Sequence, residues 1–118
     1  MLQIGLVDDS VILRSAIRNV LESSGYEVVL EAGGSADLFE KLPQHTPQLI
    51  LLDVFFPQEN GLDILARLKK QYPTIKVWLV TGMKQDTISA EAKRLGADGI
   101  LYKPFDTDDL LNTVKQAI

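Results

Sequence analysis

The sequence predicts a doubly wound α/β domain: five strands alternating with five helices, (βα)5, with the strands in one parallel sheet of order 2-1-3-4-5. Three observations carry that expectation. Short, largely apolar runs alternate with segments whose apolar residues recur at helical spacing. Capping residues, glycines and prolines punctuate the helical segments. Strands that are apolar throughout and separated by helices belong to a parallel sheet covered on both faces, which right-handed crossovers wind to both sides.

The first strand is Leu2-Gln3-Ile4-Gly5-Leu6-Val7. Ser10 then caps a helix in which Leu13, Ile17, Val20, Leu21 and Ser24 share a face, and Gly25 stops it. Glu27-Val28-Val29-Leu30 is the second strand. Gly33-Gly34 opens a turn, and Ser35 caps a short helix carrying Leu38, Phe39 and Leu42 before Pro43. Residues 48–52 form the third strand, with Asp53 at its end. Leu62, Leu65, Ala66 and Leu68 mark a helix from Gly61 to Tyr72, ended by Pro73. Ile75 to Val80 is the fourth strand, Asp86 to Leu95 the fourth helix with Gly96 as its stop, and Gly99 to Tyr102 the fifth strand. Asp106 to Ile118 is the last helix, with Leu110, Leu111, Val114 and Ile118 on one face. No internal repeat or linker interrupts the pattern, so residues 1–118 read as one domain, stand-alone or trimmed from a longer chain.

Composition removes whole classes of function. The chain has 118 residues, no cysteine and one histidine, His45. Thiolate metal sites, disulfides, cysteine nucleophiles and sites needing two imidazoles are therefore excluded. Twelve basic residues against 16 acidic ones give a net charge of −4, which argues against direct nucleic-acid binding. No apolar run approaches the ~20 residues of a membrane span, and there is no signal peptide, so the expected location is cytoplasmic. His45, between Pro43 and Pro47, reads as a solvated loop residue, and Trp78 as core or half-buried packing. Asp106, Asp108 and Asp109 open the last helix, where negative charge favours the dipole.

In such a sheet, ligands bind beyond the carboxyl ends of the strands, at the switch in strand order. Asp8 and Asp9 follow the first strand, Asp53 the third, Thr81 the fourth, and Lys103-Pro104 the fifth. Taken singly, each has an ordinary explanation: a helix cap, a turn residue, a solvated lysine. Together they bring three carboxylates to one sheet edge, where unpaired acids repel and stability gives them no reason to meet. Three acids without imidazole or thiolate suit a hard, oxygen-loving cation such as Mg²⁺. A carboxylate beside Mg²⁺ can act as a nucleophile on phosphorus. Lys103 and Thr81 can then supply a charge and a hydroxyl to the phosphoryl oxygens.

Those residues, in order, resemble the receiver domain of bacterial two-component response regulators. The shared motifs are Val7-Asp8-Asp9-Ser10, Leu52-Asp53 followed by Pro57 and Gly61-Leu62, Val80-Thr81-Gly82, Gly96-Ala97-Asp98-Gly99, and Lys103-Pro104-Phe105. The resemblance covers the whole chain and implies a flavodoxin-like topology. It also implies that Asp53 accepts a phosphoryl group from a histidine kinase, a phosphotransfer protein or a small phosphodonor. Asp9 and Asp53 would ligate Mg²⁺ directly, Asp8 through water, and the Phe55 backbone carbonyl would complete the protein ligands. Thr81 and Lys103 would contact the phosphoryl group, and the Lys103-Pro104 bond would be cis. The domain would promote its own phosphorylation and dephosphorylation without turning over a separate substrate. The fourth helix, fifth strand and fifth helix would form the surface for a downstream effector or for phosphorylation-dependent dimerisation.

Two positions depart from the family pattern. Receivers usually carry Tyr or Phe three residues before the lysine; here that residue is Ile100, with Tyr102 one step nearer on the same face. Either Ile100 repacks more modestly on activation, or output is coupled differently. Phe56 replaces the usual methionine before Pro57. Phe55 and Met83 occupy positions that tune phosphorylation and dephosphorylation rates, and their bulk suggests slow autodephosphorylation. The last helix carries only Lys115 as a basic residue, which tilts the reading away from a winged-helix regulator and towards a stand-alone or relay-type receiver. The competing readings are a phosphorylation-independent docking module, motivated by Ile100, and a receiver whose DNA-binding effector domain has been removed. A haloacid-dehalogenase-type phosphatase fits poorly, because Asp53 is followed two residues on by Phe55 rather than an acid. A flavodoxin fits poorly because three acids would repel the phosphate of FMN.

Overall fold

The structure, a computed structural model, describes residues 2–82 and 86–117. The elements follow in the order β1 (Gln3–Val7), α1 (Val11–Ser23), β2 (Glu27–Ala32), α2 (Ser35–Lys41), β3 (Leu49–Asp53), α3 (Gly61–Gln71), β4 (Lys76–Thr81), α4 (Asp86–Arg94), β5 (Gly99–Tyr102) and α5 (Thr107–Gln116). All neighbouring strands pair in parallel, and the sheet order is β2-β1-β3-β4-β5. The expected topology is therefore the observed one, with boundaries shifted by a residue or two.

Strand alternation divides the core into two layers. On one face Val7, Ile50, Leu52, Val77 and Leu79 pack against Leu38, Leu42, Ile64, Leu65, Leu68 and Ala92 of the α2, α3 and α4 side. On the other, Ile4, Leu6, Leu49, Leu51, Val80 and Leu101 pack against Ile17 and Leu21 of α1 and Leu110 and Val114 of α5. β3 is buried along its whole length, as an apolar run at the centre of a covered sheet must be. β2 is an edge strand, and there Val28, Leu30 and Ala32 are buried while the residues between them are more exposed.

Caps confirm some expectations and correct two. Ser10 accepts a hydrogen bond from the Leu13 N–H and caps α1. Gly25 and Gly96, both at positive φ, follow the ends of α1 and α4. Asp106 is the cap of α5 rather than its first residue, and it forms a capping box with Asp109. Ser35 does not cap α2: the cap position is Gly34, and the Ser35 N–H donates instead to the Glu59 carboxylate at 2.9 Å. A residue from the loop before α3 thus does the work that a local hydroxyl was expected to do. His45 is exposed, and Trp78 is partly buried against the α1 and α5 layer, as expected. No helix among the described residues is long and apolar enough to cross a membrane.

Candidate functional site

Each of the expected site residues stands at the carboxyl end of the sheet. Asp53 ends β3 and Thr81 ends β4, both buried. Asp8 follows β1 and is buried, whereas Asp9 beside it is exposed. Lys103 follows β5, and its N–H donates to the Thr81 carbonyl at 2.8 Å, so the ends of β4 and β5 are tied together beneath the lysine side chain. The Lys103–Pro104 peptide is cis.

The side chains converge. Carboxylate oxygens of Asp8, Asp9 and Asp53 all lie within 4.8 Å of one another. The Lys103 ammonium lies 3.7 Å from Asp53 Oδ1 and 3.8 Å from Asp8 Oδ2, spanning the two buried acids. Asp8 Oδ1 accepts the Ser10 N–H at 2.8 Å, and Asp53 Oδ1 accepts the Val54 N–H at 2.8 Å. Burial and the charge of Asp8 push the Asp53 carboxyl above its ordinary range, more strongly than Lys103 and the N–H groups of Phe55 and Val54 pull it down. Three negative charges face one positive charge, and two of the acids are out of water. A divalent cation held by oxygen ligands fits that donor set, since it would relieve the excess charge that Lys103 only partly offsets.

The loop after β3 is fixed by backbone contacts. Phe55 pairs with Asn60 in an isolated antiparallel bridge, the Asn60 side chain accepts the Leu62 N–H, and the Gly61 N–H donates to the Val54 carbonyl at 2.6 Å. Phe55 is 51% exposed. Met83, expected to act with Phe55 on the phosphorylated lifetime, lies outside the described residues. Ile100 packs against the α2, α3 and α4 layer, and with Tyr102 it lines a cavity of about 320 Å³ against Ser89, Ala92 and Lys93 of α4.

A sequence profile of the response regulator receiver domain matches residues 4–115. The chain belongs to this receiver domain family. The chemotaxis protein CheY of Listeria monocytogenes is 32% identical over 117 residues, which are 99% of this chain and 98% of that protein. The DNA-binding transcriptional regulator NtrC of a Bradyrhizobium species is 32% identical over 113 residues, 96% of this chain but 23% of that regulator. Among solved structures, chemotaxis protein CheY4 of Vibrio cholerae superposes with a TM-score of 0.93 at 28% identity, covering 100% of this chain and 99% of that one. The receiver is thus similar both to a protein of its own length and to one part of a much longer regulator.

Three polar contacts of this receiver were not read from its motifs. Arg14 donates from Nη1 to the Asp8 carbonyl at 2.6 Å. Glu59 links the loop before α3 to α2. Asp98, quoted only as part of the Gly-Ala-Asp-Gly motif, accepts from the Lys69 ammonium and the Val77 N–H at 2.8 Å each and so clamps β5 to β4 and α3. The first two partners lie 6 and 24 residues apart in sequence and leave no periodic signal. The aspartate of the third was visible in its motif, but its partners were not.

Proposed function

We propose that this receiver domain is the phosphoacceptor of a two-component signalling system, with Asp53 as the accepting residue. The observation that carries the reading is the convergence of Asp53 with Asp8, Asp9 and Lys103 at the end of the sheet. Asp8, Asp9, Asp53 and the Phe55 backbone carbonyl are the groups that would hold Mg²⁺. The ion supplies charge neutralisation for the phosphoryl oxygens and screens the acids from an incoming phosphate.

One Asp53 carboxylate oxygen attacks phosphorus in line with the leaving group. The bond from phosphorus to the donor's imidazole nitrogen, or to the acyl oxygen of a small phosphodonor, breaks and its electron pair leaves with the donor. Lys103 meets the charge on one phosphoryl oxygen, and the Thr81 hydroxyl donates to another. The domain acts on its own aspartate and turns over no separate substrate. Its partners would be a histidine kinase or phosphotransfer protein on one side and an effector on the other, in the cytoplasm. Output would pass through the surface of α4, β5 and α5, where Ile100 takes the place of the usual aromatic residue.

The test is incubation with acetyl phosphate and Mg²⁺ followed by intact-mass measurement. A gain of one phosphoryl group is expected, lost in Asp53→Ala and in a metal-free sample. No gain from either acetyl phosphate or a phosphorylated kinase would refute the reading. The Ile100 substitution favours a second reading, docking without phosphorylation. Partner affinity that is the same for phosphorylated and unphosphorylated protein would select it.

A further inference from the structure

Asp9 presents a problem that its neighbours do not. Asp8 and Asp53 are buried and held by backbone N–H groups and Lys103. The Asp9 carboxylate is exposed, and among the described residues it makes no hydrogen bond or ion pair, yet it lies within 4.8 Å of the other two acids. Its place is therefore set by the backbone that carries it. That backbone is the Asp8–Asp9 peptide, and the side chain that holds it is Arg14.

Arg14 lies one turn into α1, with its N–H bonded to the Ser10 carbonyl at 3.0 Å. Its side chain, only 15% exposed, turns back so that Nη1 reaches the Asp8 carbonyl at 2.6 Å. Nε faces Glu31 Oε1 of β2 at 3.5 Å, without a hydrogen bond of its own. The other oxygen of Glu31, Oε2, takes the Arg18 guanidinium one turn further along α1. The Asp8 N–H donates to the Ala32 carbonyl, next to Glu31 in the same strand. Asp8 is thus pinned to β2 directly at its N–H, and through Arg14 and Glu31 at the carbonyl it contributes to the Asp8–Asp9 peptide. A nearly buried guanidinium has few such carbonyls to satisfy, and removing it would leave this one unpaired.

We propose that Arg14 is a positioning residue for the acidic cluster: by holding the Asp8 carbonyl, it fixes the Asp8–Asp9 peptide and aims the Asp9 carboxylate at the focus shared with Asp8 and Asp53. The proposal rests on the metal-assisted reading of the site. Groups that orient a metal ligand without touching the metal are commonly worth ten- to a hundredfold in affinity. Arg14 acts at one remove further, through a peptide, so the low end of that range applies.

The experiment uses NMR on wild type, Arg14→Met, Arg14→Lys and Glu31→Gln. In metal-free protein, Arg14→Met is expected to speed hydrogen exchange of the Ser10 N–H, which bridges to Asp8 across the same turn. In a Mg²⁺ titration followed by the Val54 amide shift, the dissociation constant is expected to rise about tenfold. Arg14→Lys, which keeps a charged donor, should recover part of that loss. A purely structural brace would lower the melting temperature and leave the constant of the folded protein unchanged; that result in Arg14→Met overturns the proposal. Should Arg14→Met fail to fold, Glu31→Gln decides, with a severalfold rise in the constant expected and an unchanged constant overturning it. If wild type itself takes up no Mg²⁺, the metal reading fails, and the Ser10 exchange rate still decides whether Arg14 holds the turn.

Discussion

Replacing Gly61 by alanine sets two effects of opposite sign against each other. Gly61 opens α3 at a φ that is not positive, so local propensity alone favours alanine by about 0.5–1 kcal/mol. A Cβ at this position, however, would stand 2.2 Å from the Asp53 carbonyl oxygen, 2.6 Å from Val54 Cα and 2.9 Å from the Val54 carbonyl oxygen. All three are backbone atoms, so no rotamer change relieves the clash. Relaxed contact needs roughly 3.5 Å, which means moving the start of α3 away from the end of β3 by about 1 Å. That shift costs about 2 kcal/mol of packing, on the scale of overpacked cores. It also stretches the hydrogen bond from the Gly61 N–H to the Val54 carbonyl, worth roughly 1 kcal/mol. Subtracting the propensity gain leaves a net destabilisation of about 2 kcal/mol. For a domain of this size that lowers the melting temperature by about 8 °C. Far-UV circular dichroism melts and urea midpoints of Gly61→Ala and wild type measure it. Gly82→Ala is the control, because a Cβ there meets nothing within 4 Å. A Gly61→Ala protein that melts at or above wild type would refute the reasoning.

Three further outcomes follow from the charged groups. Burial raises the Asp98 carboxyl, but Lys69, the Val77 N–H and Lys76 outweigh it and hold the carboxyl below its ordinary range. Its stabilisation is therefore present above the unfolded value of about 4 and lost as pH falls through the lower folded value. Asp98→Ala should cost about 2 kcal/mol at pH 7 and flatten the acid limb of the urea midpoint against pH; an equally steep limb in the variant would contradict this. Asp53 has the opposite sign, since its folded carboxyl is raised, so in metal-free protein its contribution becomes more favourable as pH falls through that folded value. Asp53→Asn, which keeps the oxygen that accepts the Val54 N–H, should raise metal-free stability at pH 7 by on the order of 1 kcal/mol, and a lower melting temperature would count against the origin given for the shift. Mg²⁺ at ten times its dissociation constant should add about 1.4 kcal/mol of stability, removed by EDTA and much reduced in Asp9→Asn; a melt indifferent to Mg²⁺ in wild type would remove the metal from the site.

The sequence by itself determined the five βα units, their parallel order and the end of the sheet at which the site lies. It could do so because those features are periodic or local. A strand such as Leu49-Ile50-Leu51-Leu52, buried on both faces, must be apolar at every position, and amphipathic helices must carry their apolar residues on one side. The site residues were legible for a related reason: each follows a strand directly, so strand order alone brings Asp8, Asp53, Thr81 and Lys103 together. Only the tertiary structure decided how they are held. Glu59 displaced Ser35 as the acceptor at the start of α2 because two loops 24 residues apart meet there. Lys69 and Asp98 found each other across 29 residues. Arg14 turned back to the Asp8 carbonyl because Glu31, on the neighbouring strand, gives its guanidinium a partner. Such contacts depend on bringing donor and acceptor atoms of distant segments to within about 3 Å, a proximity that periodicity and spacing do not encode.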